Sequence, residues 1–200
     1  MFYPLMIDLN DKIVCVVGAG GVALRKTTKF LEYGATVKVI GREIKEEFSE
    51  LKSKYEGRLQ ILKGDFKEEY LQGVFMAEIA TNDCNINERV ATMCKDRNIL
   101  CSVADNIKKC DYIVPSTVKR GSLIFSISTL GKSPSLCAKV RKELEEKYPE
   151  SMADFVELLG QGRELVLNKI QNAEERRSIL NKMVYMDFEE LKKVVDQLKG

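Results

Sequence analysis

Short apolar runs alternate with segments of helical spacing along the first half of the chain. The apolar runs predict strands at residues 12–17, 36–40, 59–62, 74–80 and 99–103. The segments between them predict helices at residues 22–33, 43–54 and 85–97. Strands that alternate with helices over short connections indicate a parallel sheet with helices on both faces. Because such crossovers are right-handed, the pattern predicts a doubly wound α/β fold.

The pattern changes after residue 111. The sequence predicts strands at residues 111–114 and 123–128, separated by a turn at 119–121. It then predicts helices at residues 136–147, 151–167, 174–183 and 188–198. We therefore predict three parts: an α/β domain over residues 1–113, a small α+β unit over 114–149 and a helical domain over 150–200.

The composition narrows the chemistry of the chain. Its 200 residues are 44% hydrophobic and 31% charged, as in globular proteins, and no apolar run approaches the ~20 residues of a membrane span. The first residues predict no signal peptide. The chain has no histidine, so acid–base chemistry falls to Asp, Glu, Lys, Tyr or Cys. None of the six cysteines forms a C-x-x-C pair, which predicts a reducing, cytoplasmic location without disulfides or structural zinc.

A glycine-rich loop joins the first predicted strand to the first predicted helix. Its sequence GAGGVA, residues 18–23, fits the pattern G-x-G-x-x-A in a strand–loop–helix context. Gly18 allows the tight turn, Gly20 lets a pyrophosphate approach the backbone, and Ala23 lets the helix pack on the strand. Free N–H groups at the helix start, where Gly21 and Val22 lie, would bind the phosphates. The alternative is a tight turn that binds nothing.

The end of the second predicted strand leaves the choice of dinucleotide open. A dinucleotide site usually has Asp or Glu at this point to bind the ribose hydroxyls. The sequence here is VIGRE, residues 39–43, so Glu43 comes slightly late and Arg42 would suit a 2′-phosphate. From these residues alone, NAD and NADP are equally favoured.

Two further features suggest a substrate site. Residues 115–142 contain six basic side chains and no acidic one, which suggests a polyanionic partner. Because only Phe125 interleaves with them and the net charge is +2, a small multi-carboxylate substrate is favoured over nucleic acid, with a solvated face as the alternative. Asp105 follows the fifth predicted strand, where open α/β folds bind ligands. It would serve there as an acid–base group or as an ordinary turn cap.

Seven short motifs, taken in order, resemble the precorrin-2 dehydrogenase / sirohydrochlorin ferrochelatase family, the N-terminal module of siroheme synthases. They are YPL (3–5), VVGAGGVALRK (16–26), ATND (80–83), VADN (103–106), DYIVPS (111–116), KRGSL (119–123) and SISTLGKSP (126–134). The resemblance covers almost the whole chain, although Leu130 stands where the family has glycine. It implies a Rossmann-like, NAD-binding domain, then a small dimerisation and substrate-binding domain, then a helical C-terminal domain.

The resemblance also implies an activity. Such proteins oxidise precorrin-2, a tetrapyrrole with several carboxylates, to sirohydrochlorin with NAD as hydride acceptor, and some also insert ferrous iron. They are typically homodimers, with no resident metal and with no nucleic-acid or membrane partner expected here. The implied catalytic group is Asp105. The implied cofactor-binding residues, beside those of the glycine loop, are Arg42, Glu43 and Thr81, and the candidate substrate-binding residues are Arg120, Ser128, Thr129 and Lys132.

An NAD-sensing regulatory module without catalysis is the alternative function. Such a module would need a clear acid at the end of the second strand, and it would need neither Asp105 nor the basic stretch. This sequence lacks a clear acid at the end of the second strand, and it has both Asp105 and the basic stretch. A chelatase without dehydrogenase activity would not need the glycine loop.

Overall fold

The computed structural model describes residues 2–104 and 106–200. The chain forms two compact units, one ending at Val114 and one beginning at Pro115. The predicted division into three domains stays a prediction.

The first unit is built on a five-stranded parallel sheet. Its strands are β1 (Ile13–Val17), β2 (Thr36–Gly41), β3 (Leu59–Lys63), β4 (Met76–Ile79) and β5 (Leu100–Val103), in the order β3-β2-β1-β4-β5. Helices α1 (Gly21–Glu32), α2 (Glu47–Lys54) and α3 (Cys84–Asp96) make three of the crossovers, and a 3-10 turn at Glu68–Leu71 lies in the fourth. The strand order reverses at β1, so the predicted doubly wound fold is confirmed.

Both faces of the sheet are buried, which is why its strands are nearly continuous apolar runs. On one face, Val14 and Val16 of β1 pack in a cluster with Phe30 of α1 and Phe48 of α2. On the other face, the alternate residues of β1, β4 and β5 pack with α3. Side chains on alternate faces of β1 therefore anchor helices on opposite sides of the sheet.

Helix α2 begins four residues later than the predicted start at residue 43. The backbone N–H of Lys45 donates to the carbonyl oxygen of Ala19 at 3.2 Å, which holds the segment after β2 against the glycine loop. This contact is not local in sequence, so helical spacing could not reveal it. As a result, Arg42 and Glu43 lie in a loop and not in a helix.

The segment after β5 covers one edge of the sheet. The Asp111 N–H donates to the Cys101 carbonyl at 2.8 Å, and the Cys101 N–H donates to the Asp111 carboxylate at 2.9 Å. The Val103 N–H lies 3.2 Å from the Cys110 sulfur. The predicted strand at residues 111–114 is wrong, because this segment satisfies the edge partly through side chains and not through a backbone ladder.

The second unit begins with an antiparallel hairpin and continues in helices. Strands β6 (Ser116–Arg120) and β7 (Leu123–Ile127) pair with Val118 opposite Phe125. The turn lies at residues 121–122, where Gly121 has a φ of +58°, so the predicted turn at 119–121 is wrong by up to two residues. The four helices are α4 (Pro134–Lys147), α5 (Met152–Lys169), α6 (Ala173–Met183) and α7 (Phe188–Lys199), each within two residues of its prediction.

A separate small core joins the last three helices. Val166 of α5, Met183 of α6, and Leu191 and Val195 of α7 are buried together. A Cβ atom on Gly162 would lie 2.1 Å from the Met183 side chain, so this glycine allows the helices to pack closely. No helix of the described residues is both long enough and apolar enough to cross a membrane.

A charged network is buried within the first unit. The Glu78 carboxylate, fully buried on β4, forms an ion pair with Lys26 of α1. It also accepts hydrogen bonds from Ser102 of β5 and from the hydroxyl of Tyr112, each at 3.3 Å. Burial raises the pKa of Glu78, and the Lys26 ammonium opposes that shift. The network connects α1, β4, β5 and the segment that leads out of the unit.

We expect Lys26→Met to lower the free energy of unfolding by about 3 kcal/mol at pH 8, because it leaves a buried carboxylate unpaired. The folded-state pKa of Glu78 would rise further above its unfolded value of about 4.3, so stability falls as pH rises above that value. The loss should therefore be smaller at pH 5 than at pH 8. Urea unfolding of the variant at the two pH values measures both effects.

Glu78→Gln is the matched control for that substitution. Glutamine keeps the shape of Glu78 and one acceptor oxygen, and its NH2 group can donate to the Tyr112 hydroxyl oxygen. Lys26 retains 19% exposure, through which its ammonium reaches water. We expect a smaller loss than in Lys26→Met, and this loss should not grow between pH 5 and pH 8, because the titrating carboxylate is absent. Wild-type stability of Lys26→Met at pH 8 would contradict the importance of the pair.

Candidate functional site

A cleft of about 620 Å³ opens at the carboxyl ends of the parallel strands in the first unit. It is lined by the glycine loop, by the segments after β2, β3 and β4, and by the start of α3. Ligands in open α/β folds bind at this place, where the strand order reverses. Five of the residues predicted to bind the cofactor line this cleft: Gly18, Gly20, Arg42, Glu43 and Thr81.

Gly18 fits between the ends of two strands. Its N–H donates to the Ile40 carbonyl of β2 at 2.7 Å, and its φ is +113°. A Cβ atom here would lie 2.3 Å from the backbone oxygen of Ala80, beyond the end of β4. Only glycine therefore suits this turn, both for its φ and for the close approach of the backbone.

The start of α1 is open to a ligand. Gly20 caps the helix without any side-chain hydrogen bond, and the first turn has no acidic residue. Cβ atoms built on Gly20 and Gly21 meet no atom of the described chain within 4 Å. Gly21 and Val22 are exposed, whereas Ala23 is fully buried and packs in the core beneath. Unpaired N–H groups and the helix dipole at this end fit the pyrophosphate of a dinucleotide.

The rim after β2 and β3 carries paired charges. The Arg42 Nε–H donates to the Asp65 carboxylate, and Lys45 forms an ion pair with Glu47 at 2.5 Å. Glu43 is exposed on the same rim. Asp65 was not predicted, although an acid two residues beyond β3 is a signal that a sheet-edge search could have found.

Thr81 lies in the short loop between β4 and α3. Its hydroxyl donates to the Asn87 side-chain oxygen at 2.5 Å and accepts from the Asp83 N–H at 3.1 Å. Asp83 in turn caps α3 by accepting from the N–H groups of Asn85 and Ile86. The Thr81 hydroxyl therefore acts as a cap at the strand end, and its role toward a cofactor stays a prediction. Asn87, buried on the first turn of α3, was not predicted.

Asp105, the predicted acid–base group, lies outside the described residues. Its neighbours continue the line of β5 at the carboxyl edge of the sheet. The Ala104 N–H donates to the Ile79 carbonyl of β4 at 2.9 Å, and the Asn106 N–H donates to the Val103 carbonyl at 3.2 Å. The catalytic role of Asp105 stays a prediction.

Arg120, predicted to bind substrate, is buried at the end of β6, and its guanidinium reaches the C-terminal end of α4. Its guanidinium donates to the carbonyl oxygens of Tyr148 at 2.7 Å and Lys119 at 2.9 Å, and it pairs with Glu150 at 2.9 Å. The bond to Tyr148 satisfies a carbonyl at the end of a helix, and these contacts together support a structural role. A role in substrate binding stays a prediction.

The rest of the basic stretch is partly neutralised within α4. Lys139 pairs with Glu143, and Arg141 pairs with Glu145, one turn further along the helix. The acidic residues that balance the positive charge of the basic stretch therefore follow directly after residue 142. Lys132 lies exposed in the loop before α4 and forms no ion pair within the described residues.

The loop before α4 is held by its own hydroxyl groups. Ser128 Oγ accepts from the Leu130 N–H at 3.1 Å, and Thr129 Oγ1 accepts from the Ser133 N–H at 2.9 Å. Ser133 caps α4 by accepting from the Leu136 N–H. Both hydroxyl oxygens act as acceptors in these bonds, and Thr129 Oγ1 also lies 3.5 Å from the Cys137 sulfur. The role of Ser128 and Thr129 in substrate binding stays a prediction.

We expect Leu130→Gly to raise the free energy of unfolding by about 1 kcal/mol, because Leu130 has a φ of +52°. Glycine adopts this conformation without the clash of a Cβ atom. Leu130→Ala is the matched control, since it removes the same exposed side chain and keeps the strain. Chemical unfolding of the three proteins measures the effect, and equal stability of the two variants would contradict it.

Three of the six cysteines, Cys15, Cys94 and Cys101, have the properties of buried structural thiols, whereas Cys84 is exposed. All six are free, and burial raises the pKa values of Cys15, Cys94 and Cys101 to about 12. Thiols with such pKa values are poor nucleophiles. Within residues 2–104 and 106–200, no group of three or more His, Cys, Asp or Glu side chains could hold a metal ion.

The fold and the cleft together define a dinucleotide-binding protein of the Rossmann class. The model of the family described as "Putative NAD(P)-binding" matches residues 5–116, more than half of the chain. The chain belongs to that family.

Similar proteins extend the comparison beyond the first unit. The chain is 35% identical over 178 residues to the siroheme synthase of Photorhabdus laumondii and 31% identical over 193 residues to that of Actinobacillus succinogenes. It covers 37% and 40% of the length of these two relatives, which match 88% and 96% of the chain. The solved structure of SirC, a precorrin-2 dehydrogenase, matches 99% of both chains with a TM-score of 0.81 and 26% identity. The resemblance predicted from the motifs is confirmed.

Proposed function

We propose that the chain is an NAD-dependent precorrin-2 dehydrogenase that produces sirohydrochlorin. The observation that carries the proposal is the similarity to SirC over 99% of both chains. The similarity to siroheme synthases and the dinucleotide cleft agree with it. The balanced reaction is precorrin-2 plus NAD⁺ giving sirohydrochlorin, NADH and one proton.

NAD supplies the acceptor for the hydride. The N–H groups at the start of α1 bind its pyrophosphate, and the open space beside Gly20 admits it. Arg42 and Glu43 would flank the adenosine ribose of the bound cofactor, and Thr81 would lie near its nicotinamide ribose. Asp105 takes the proton that leaves with the hydride, because a carboxylate is the best acid–base group in a chain without histidine.

The anionic substrate is held by residues of the second unit. Lys132 and the hydroxyl groups of Ser128 and Thr129 lie together in the loop before α4 and offer a cation and two donors to carboxylates. Arg120 supports this region through α4. This arrangement suits a tetrapyrrole with several carboxylates.

A homodimer and a cytoplasmic location complete the proposal. Helix α4 packs on a sheet of only two strands and buries none of its side chains fully, so a second copy would complete this small core. Six free cysteines suit a reducing compartment. Light scattering of the purified chain tests the dimer, and a monomer mass at micromolar concentration would contradict it.

The test of function is an anaerobic assay with purified chain and precorrin-2. We expect sirohydrochlorin to appear with NAD and not without a dinucleotide, and NADP serves as the comparison. Ferrous iron is added in a second stage, because insertion of this metal into the product is a further proposed step. NAD binding without oxidation of precorrin-2 would contradict the enzyme and favour a sensor of NAD.

A further inference from the structure

We propose that Asp65 selects NAD over NADP by neutralising Arg42 and placing a carboxylate at the ribose end of the cleft. The proposal rests on the proposed function, since it concerns the cofactor of that reaction. The residues at the end of β2, taken alone, left the two dinucleotides equally favoured, because Arg42 suits a 2′-phosphate. The residues around Arg42 in the fold favour NAD over NADP.

The strand ends bring Asp65 to Arg42. Strands β2 and β3 are parallel neighbours with Gly41 opposite Lys63, and the Gly64 N–H donates to the Gly41 carbonyl at 2.9 Å. This contact keeps the two chain exits side by side. Asp65, one residue further on, then accepts a hydrogen bond from Arg42 Nε through its Oδ1 atom.

The pair lies directly beside the glycine loop. A Cβ atom on Gly41 would lie 2.8 Å from the Ala19 side chain, so the end of β2 touches the loop. Arg42 and Asp65 both line the cleft together with Gly18 and Gly20. In a dinucleotide fold, this is where the adenosine ribose lies when the pyrophosphate is on the loop.

The charges of this rim disfavour a phosphate. Two cations and three carboxylates line the cleft: Arg42, Lys45, Glu43, Asp65 and Asp83. Both cations are already paired, Arg42 with Asp65 and Lys45 with Glu47. A dianionic 2′-phosphate would have to displace a carboxylate, whereas a ribose hydroxyl can donate to one.

The exposure of the pair argues against a purely structural role. The side chains of Arg42 and Asp65 are 69% and 70% exposed. Ion pairs this exposed contribute little to folding. Removing Asp65 should therefore change recognition of the dinucleotide while leaving the fold intact.

Calorimetric titration with NAD and with NADP, without substrate, tests the proposal on the full chain. We expect Asp65→Asn to shift the ratio of the two affinities toward NADP by about tenfold, the scale of one charge-assisted hydrogen bond. Glu69→Gln is the matched control, because it removes one carboxylate that pairs with Lys67 on the same connection and does not line the cleft. Its ratio should equal that of the wild type.

A second variant tests the mechanism. Adding Arg42→Gln to Asp65→Asn should abolish the gain in NADP affinity, since the freed guanidinium is its cause. An unchanged ratio of NAD to NADP affinity in Asp65→Asn, or the same shift in Glu69→Gln, would overturn the proposal about Asp65. The proposed function would remain supported in that case, provided that the chain binds NAD. Wild-type chain that binds neither dinucleotide would overturn both.

Discussion

Gly18→Ala should unfold the first unit more easily and abolish detectable NAD binding. The added Cβ would lie 2.3 Å from the Ala80 oxygen and 2.8 Å from its carbonyl carbon, both backbone atoms that cannot rotate away. The φ of +113° adds strain for any residue with a side chain. We expect a loss of about 3 kcal/mol in the free energy of unfolding. Urea unfolding and calorimetric titration with NAD measure the two effects.

Gly20→Ala is the matched control and separates folding from binding. Gly20 has a φ of −87°, and its Cβ would meet no atom of the described chain within 4 Å. We expect nearly unchanged stability in this variant and a large loss of NAD affinity, because the methyl group enters the space of the pyrophosphate. Unchanged NAD affinity in Gly20→Ala would contradict our assignment of the glycine loop to the dinucleotide.

Asp105→Ala should lower the rate of precorrin-2 oxidation by about 100-fold or more, the scale of general acid–base catalysis. NAD affinity should not change, because the pyrophosphate is held by backbone groups of the glycine loop. The measurements are turnover at saturating precorrin-2 and NAD, and calorimetric titration with NAD. A catalytic role requires the first value to fall while the second stays constant.

Glu88→Gln is the control for that variant. Glu88 is an exposed carboxylate on α3 that pairs with Lys109, and it does not line the cleft. Its turnover should match that of the wild type. If Asp105→Ala kept more than a tenth of wild-type turnover, another group would have to take the proton.

The sequence predicted those parts of the fold that follow from local spacing. The five parallel strands and the glycine loop have strong patterns, because strands buried on both faces must be apolar and the turn at Gly18 accepts only glycine. The prediction of a strand at residues 111–114 failed because the contacts of this segment are not local in sequence. Its apolar Tyr112 and Ile113 suggest a strand, yet Asp111 binds the edge of β5 through its carboxylate, which no periodicity reveals.

The sequence was sufficient to identify the residues of the glycine loop. It was not sufficient to identify which charged side chains of the candidate site are paired. Arg42 could be found from its position after β2. The residue that pairs with its charge, Asp65, lies 23 residues away along the chain. Arg120 illustrates the same limit. Its charge suggested an anionic ligand, whereas its contacts are with the carbonyls of Tyr148 and Lys119 and with Glu150.

Glu78 shows what an exception to a pattern can signal. A carboxylate within the apolar run VFMAEIA, residues 74–80, breaks the expectation for a central strand. Its partner Lys26 lies 52 residues earlier, so only the fold could identify the ion pair. An acid in a buried strand is therefore a reason to search the neighbouring helix for a cation.

The stoichiometry of NADH and sirohydrochlorin tests the central claim most directly. Purified chain is mixed anaerobically with precorrin-2 and excess NAD, and both products are followed by absorbance in the same cuvette. Transfer of a hydride to NAD predicts one NADH for each sirohydrochlorin throughout the reaction. Sirohydrochlorin that forms without NADH, or no sirohydrochlorin in the presence of bound NAD, would contradict the assignment of this chain as a dehydrogenase.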